Sequence, residues 1–192
     1  MQGNWSLYLI SRAALFTGCL FVLSACENTQ QEVDALFKKR VAVEEGVKVE
    51  SFLSQDGKTK ARLRAPYMIR QQVDSPYIEF PKTLHVDFFD DSLRIETIMD
   101  AHYAKYFDYQ GKVLLRDSVV VINIKNHDTL RTPELWWDRN KQEFSTDKPS
   151  RINKADGTIT FSQKGMRAKQ DLSWYELYGN SGQLPMPKDS LP

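Results

Sequence analysis

The sequence predicts an all-β fold. Three observations carry that prediction. The stretch from Ser92 to Asp138 consists almost wholly of strand formers and turn formers. Elsewhere, short runs of alternating apolar and polar residues are separated by turn signals about every ten residues. The chain also repeats itself weakly. Asp91-Ser92-Leu93-Arg94 returns 37 positions later as Asp128-Thr129-Leu130-Arg131, and Ala65-Pro66-Tyr67 returns 36 positions later as Ala101-His102-Tyr103. A fixed period of that size marks stacked supersecondary units, here a solenoid-like roll of strands.

Length and composition narrow the classes. A chain of 192 residues is one domain with room for a targeting segment. A net charge of +1 argues against nucleic-acid binding, which shows as a clearly basic domain. Charged residues at 27% and aromatic residues at 11% describe a globular protein. The two cysteines, Cys19 and Cys26, both lie near the start. Everything after Cys26 is therefore held by its core and its strand ladders, with no disulfide or thiolate metal site.

The N-terminus reads as a secretory signal. Ala13 to Ala25 is an apolar run preceded by Arg12, too short to span a hydrocarbon core that needs about 20 residues. It ends in Leu23-Ser24-Ala25-Cys26, which resembles the bacterial lipobox. The small Ser24 and Ala25 suit a signal peptidase, and the Cys26 thiol would carry the diacylglycerol. The competing reading, an uncleaved helix from Trp5, buries Arg12 at a cost of about 2.5–3.5 kcal/mol. Either way the remainder is exported and tethered to a membrane. The predicted organisation is a signal peptide over 1–25, a lipidated linker over 26–40, a β domain over 41–184 and a Pro-rich tail over 185–192.

The strands follow in order. Val47 to Ser51 alternates with period two. The turn Asp56-Gly57 leads to Thr59–Arg64 and Tyr67–Arg70, and Asp74-Ser75-Pro76 turns again. Leu84–Phe88 alternates, and Asp90-Asp91 turns into Leu93–Thr97. Tyr109 to Lys112 turns into Val113–Leu115. Val119–Ile124 is a buried-looking strand, and Asn126-His127-Asp128 turns it into Leu130. Glu143–Thr146, Ser150–Asn153 and Thr158–Ser162 follow, and Trp174–Tyr178 is the last predicted strand. No segment after the linker sustains a helical period.

Motifs for catalysis are missing. There is no nucleophile elbow, phosphate loop, dinucleotide fingerprint or His-Glu-x-x-His. His85, His102 and His127 are far apart, on a strand face, at a strand start and in a turn. Trp136-Trp137 stands out, because adjacent strand residues face opposite ways and one indole goes in while the other goes out.

These phrases resemble the LptC family. The resemblance rests on Asp128 to Asp138, Phe144-Ser145-Thr146, Lys148-Pro149, Ala101-His102-Tyr103, Gly111-Lys112-Val113, Gly157-Thr158-Ile159 and Gly165-Met166, in that family's order and spacing over Val41 to Leu184. The related LptA-like proteins share them, so the anchor makes the distinction. The resemblance implies a twisted β-jelly roll of antiparallel strands in two V-shaped sheets with open edges. It implies a non-enzymatic, cofactor-free component that binds lipopolysaccharide. Its implied partners are an inner-membrane ABC transporter (LptB, LptF, LptG) and an LptA-like periplasmic protein. Open edges would join neighbours by strand addition. The N-terminal edge near Val47, Val49 and Ser51 would meet the transporter, and the C-terminal edge near Trp174, Glu176 and Tyr178 would meet the bridge protein. The lipidated Cys26 departs from the transmembrane helix of better-known members.

A lipid slide needs an apolar lining. Leu84, Val86 and Phe88 share one strand face; Ile95, Thr97 and Met99 share another; Val120, Ile122 and Ile124 share a third; Ile159 and Phe161 share a fourth. With Leu135 or Trp137 beside them, they are assigned to the groove. On that reading Phe88→Asp blocks lipid contact while the roll still folds. Two alternatives remain: an envelope lipoprotein whose sandwich binds carbohydrate or acts as a scaffold, using Trp136, Trp174 or Tyr175, and an exported hydrolase assembled only in three dimensions.

Overall fold

The computed structural model of the protein describes residues 42–183. The predicted signal peptide, the linker, the tail and therefore Cys26 lie outside the described residues.

Among the described residues the fold is all-β, one antiparallel sheet of fourteen strands. The chain runs in nine successive passes. The first two are β1 (Ala42–Gln55) and β2 (Lys58–Gln72). The third joins β3 (Tyr77–Phe80) to β4 (Leu84–Phe89), and the fourth joins β5 (Ile95–Ala101) to β6 (Tyr103–Phe107). β7 (Lys112–Asn123) and β8 (Thr129–Asp138) are the fifth and sixth. The last three are β9 (Glu143–Thr146) with β10 (Ser150–Asn153), β11 (Ile159–Ser162) with β12 (Met166–Lys169), and β13 (Tyr175–Leu177) with β14 (Asn180–Gln183).

Each pass is creased in the middle, which divides the sheet into two layers. One layer runs β1-β2-β4-β5-β7-β8-β10-β11-β14, and the other runs β1-β2-β3-β6-β7-β8-β9-β12-β13. The strands β1, β2, β7 and β8 belong to both. Every pass lies beside the next in each layer, so the topology is a meander. This explains the sequence period: 37 residues is two passes. Ala65-Pro66-Tyr67 and Ala101-His102-Tyr103 both sit on the crease.

The crease has local causes. Lys48, opposite Pro66, has φ 54°, and the ladder skips that pair. Pro66 has no N–H to donate. Asp117 and Ser118 have φ 61° and 59° and form the irregularity in β7 between Arg116 and Val119. Short hydroxyl side chains tie the crease together. The Thr132 hydroxyl lies 3.0 Å from the Glu134 carbonyl and 3.2 Å from that of Pro149. The Thr146 hydroxyl accepts from the Lys148 N–H at 3.0 Å. Ser162 reaches the carbonyls of Gly165 and Tyr178.

The outer ends of the passes are capped by turns. Asp56-Gly57 takes φ 52° and 75°, both positive, as a two-residue hairpin of the I′ kind requires. Asp90, Asp138 and Asp156 each accept backbone N–H groups two to four residues on.

Several strand boundaries differ from the sequence reading. Thr59–Arg64 and Tyr67–Arg70 are one strand, as are Val113–Leu115 and Val119–Asn123, because the crease bends the strand without ending its ladders. The strand after Asp90-Asp91 begins at Ile95, since Asp90 holds the chain in a turn to Arg94. β3, β6, β12 and β14 carried no clear strand signal. The Trp174–Tyr178 strand shortens to β13 and is not the last.

The core lies between the layers. Phe88 of β4, in one layer, meets Trp137 of β8 and Phe144 of β9, in the other, with ring centroids 4.9 and 6.1 Å apart. Leu84, Val86, Met99, Leu115, Val121, Leu130 and Leu135 are essentially excluded from water.

Candidate functional site

Of the twelve side chains assigned to a groove, six point between the layers: Leu84, Val86, Phe88, Met99, Leu135 and Trp137, all at most 3% exposed. The other six do not, and their placement is corrected. Val120, Ile122, Ile124, Ile159 and Phe161 lie on the opposite, outer face of the first layer, and Ile95 is 38% exposed at the start of β5.

The period of two decides the matter. In β7 the inward residues are Val119, Val121 and Asn123, which puts Val120 and Ile122 outside. Asn123 is the polar residue on the inward face. Its amide donates to the Asp171 carbonyl, and its oxygen accepts from the Lys125 and Asn126 N–H groups, so it is satisfied while buried. In β11, Ser162 takes the inward position as a crease tie, and Phe161 and Ile159 turn out.

The space between the layers reaches the surface on the side away from the crease. There a cleft of about 200 Å3 is bordered by Leu53 and Gln55 of β1 and by Asn140 and Gln142 after β8, and it reaches Ala61, Phe88 and Trp137. Gln142 touches Gln55 across it at 3.5 Å, and the Trp137 indole N–H donates to Gln170 at 2.9 Å. Gln170, after β12, lines this cleft, and Leu172 beyond it belongs to the core, 2% exposed and at φ 54°.

The edges are open among the described residues. β1 pairs only with β2, and its 14 residues include Val47, 73% exposed, with Val49 and Ser51 on the same strand. At the other end the edge is divided. One layer ends on β13, which contains Glu176 and is flanked by the exposed Trp174 and Tyr178, and the other ends on β14. β14 was missed because Asn-Ser-Gly-Gln has no strand former; only its ladder with β11 makes it a strand.

Among the described residues no cluster of three metal-ligating side chains occurs. His85 belongs to a structural network on the outer face. Its Nε2 lies 3.0 Å from Asp87 and its Nδ1 2.6 Å from Asp100. Arg62 and Arg64 donate to the other Asp87 oxygen at 2.9–3.1 Å. Asp87 is 2% exposed. Burial pushes its carboxyl up, but hydrogen bonds from Arg62 and His85 and the charges of His85 and Arg64 outweigh burial and hold it below the ordinary aspartate range. A depressed carboxyl adds stability that is present above its ordinary value and lost as pH falls through the folded one. Asp87→Asn should therefore cost about 1–3 kcal/mol at pH 7 and lose part of the acid sensitivity. Denaturant midpoints at pH 7 and pH 3 check this, and an unchanged difference between the two would count against it.

Trp137 is the inward indole, and Trp136 lies half-buried outside, stacked on Phe107 at 5.9 Å. No curated protein matches the chain in a sequence search. A family description, "Lipopolysaccharide-assembly, LptC-related", matches residues 12–182. With the folded meander, the apolar interior and the open edges in view, the chain belongs to the LptC-related family, whose role is in lipopolysaccharide transport.

Proposed function

We propose that the protein is a membrane-tethered carrier, anchored through a lipidated Cys26 on the periplasmic side of the inner membrane. It receives lipopolysaccharide from an ABC transporter of the LptB, LptF and LptG kind and passes it to an LptA-like protein. Acyl chains would lie between the two layers, against Leu84, Val86, Phe88, Met99, Leu135 and Trp137. The observation that supports this most directly is the cleft that leads from the open side to Phe88 and Trp137. Each buried methylene would add about 0.8 kcal/mol. The interior must part to admit a chain, and the ties across the open side among the described residues are the Gln142–Gln55 contact and the Trp137–Gln170 bond.

The edges suit strand addition. A long, exposed edge bearing Val43, Val47 and Phe52 is an association site by its nature. We assign Val47, Val49 and Ser51 to the transporter side. At the other end we assign Trp174, Glu176 and Tyr178, together with β14, to the bridge protein. The carbohydrate-binding alternative has less support, since one face of Trp136 is covered by Phe107 and Tyr175 is half-buried, which leaves Trp174 as its exposed aromatic.

The test is photocrosslinking in membranes that contain the transporter. A benzophenone side chain replaces Phe88, and another replaces Ile122 on the outer face. Asp87 is unsuitable as the outward control, because it is buried under two arginines. ATP-dependent lipopolysaccharide adducts at Phe88 alone are expected. Adducts only at Ile122, or at neither position with the protein folded and anchored, would overturn the interior path. In the same preparation, Cys26→Ser should move the protein out of the membrane fraction; retention there would refute lipidation as the tether.

A further inference from the structure

A second cleft, about 720 Å3, runs along the crease on the outer surface, over β7, β8, β10 and β11. Arg131 and Arg151 line it, and no acid does. The two arginines are direct cross-strand partners. Like charges directly opposite destabilise a sheet, so a native pair of this kind needs a reason.

The rest of that row shows what compensation looks like. Going across the layer, Arg64 pairs with His85 and His85 with Asp100, and Arg64 and His85 both meet Asp87. Arg131 has no ion pair or side-chain hydrogen bond among the described residues. Arg151 has no carboxylate partner there either. Its Nε donates to the Asn153 amide oxygen at 2.7 Å, and its guanidinium lies 5.5 Å from the Phe161 ring centroid. Those two contacts fix its plane and leave its terminal nitrogens free.

One further feature points to a ligand. Val120, Pro133 and Phe161 give the cleft apolar walls beside its cations.

We propose that this cleft holds a phosphate-bearing lipid headgroup. The two guanidiniums would converge on the phosphate, where forked donors match its geometry. The apolar walls would take the adjoining backbone of the lipid. A bare phosphate ion has no use for those walls. The inference rests on the carrier reading and extends it: the interior takes acyl chains, while the outer crease takes an acidic headgroup. It also gives Val120 and Phe161 a lipid-facing role outside the interior.

The test uses the full chain in neutral detergent, titrated calorimetrically with dihexanoyl phosphatidic acid, dihexanoyl phosphatidylcholine and inorganic phosphate. Phosphatidic acid should bind saturably and most tightly. The double variant Arg131→Gln/Arg151→Gln should bind it at least tenfold more weakly, with a folding midpoint equal to or above that of the parent. Lys125→Gln/Lys141→Gln, which removes two charges elsewhere, should leave binding unchanged. Undiminished binding by the arginine variant, an equal loss in the lysine control, or inorganic phosphate binding as tightly as phosphatidic acid would each overturn the proposal. Failure of the carrier reading looks different, since it would abolish lipopolysaccharide adducts at Phe88. Failure of the cleft alone would leave those adducts in place.

Discussion

Phe88→Asp is expected to unfold the protein. Phe88 is 2% exposed and bridges the two layers through Trp137 and Phe144. Losing the ring alone costs about 3–5 kcal/mol. An aspartate there would be buried against the Trp137 and Phe144 rings, which adds several kcal/mol unless it takes up a proton. The sum reaches the total stability of an ordinary domain, about 5–15 kcal/mol. Circular dichroism should show no cooperative melting near the parent's. Ile122→Asp, on the half-buried outer face, should melt within a few degrees of the parent. A folded Phe88→Asp protein with a normal transition would mean that the interior is already wet in solution. The sequence alone leads to that expectation, because it assigns this face to an open groove between two sheets and not to a sealed contact between them. The same contact that makes Phe88 a good lipid reporter makes it a poor site for a charge, so the transport test uses an aromatic photoprobe.

The sequence revealed the class of fold and the turns more clearly than the layers. Asp56-Gly57, Asp90-Asp91 and Asp156-Gly157 are local signals, because the turn residue makes its own hydrogen bonds. The crease is not local. Pro66, Asp117-Ser118 and Thr132-Pro133 look like strand breaks one at a time, yet β2, β7 and β8 run through them, held by ladders on both sides. β12 reads Met-Arg-Ala-Lys, a good helical tetrad, and becomes a strand because β9 and β13 flank it. One signal could have placed the missed strands. If 37 residues is two passes, every pass needs a piece in each layer, and β3, β6 and β12 fill the gaps.

The interior was half legible for a similar reason. Leu84-His85-Val86-Asp87-Phe88 alternates cleanly, and the inward set follows at once. Val119 to Ile124 is apolar on both faces, and the only polar residue in it, Asn123, points inward. Periodicity cannot orient such a strand. Of the outward apolar residues it leaves behind, Val120 lines the arginine cleft.

Gly165→Ala is expected to be among the most damaging small substitutions in the chain. Gly165 sits on the crease between β11 and β12 with φ 100°, a conformation open to glycine and costly for other residues. A methyl group there would stand 2.1 Å from the Thr146 carbonyl oxygen and 2.7 Å from the Asp147 Cα. Both obstacles are backbone, so neither can swing aside. They also belong to the neighbouring crease: Thr146 caps the turn at Lys148, and the Gly165 carbonyl itself receives the Ser162 hydroxyl and the Tyr178 N–H. Overpacking costs about 1–3 kcal/mol and the left-handed backbone about 1–2 more. Together they predict a loss near 3–4 kcal/mol, or roughly 10 °C in Tm for a domain of this size. Gly57 provides the control. It too has a positive φ, 75°, but a methyl group there meets nothing within 4 Å. Gly57→Ala should therefore cost only the backbone part, about 1 kcal/mol. If the two variants melt together, the crease at β11–β12 is looser than its geometry implies. If Gly165→Ala alone falls, the two layers are joined rigidly at the crease, and any parting that admits a lipid must come from the opposite side, where Gln142 and Gln170 border the mouth.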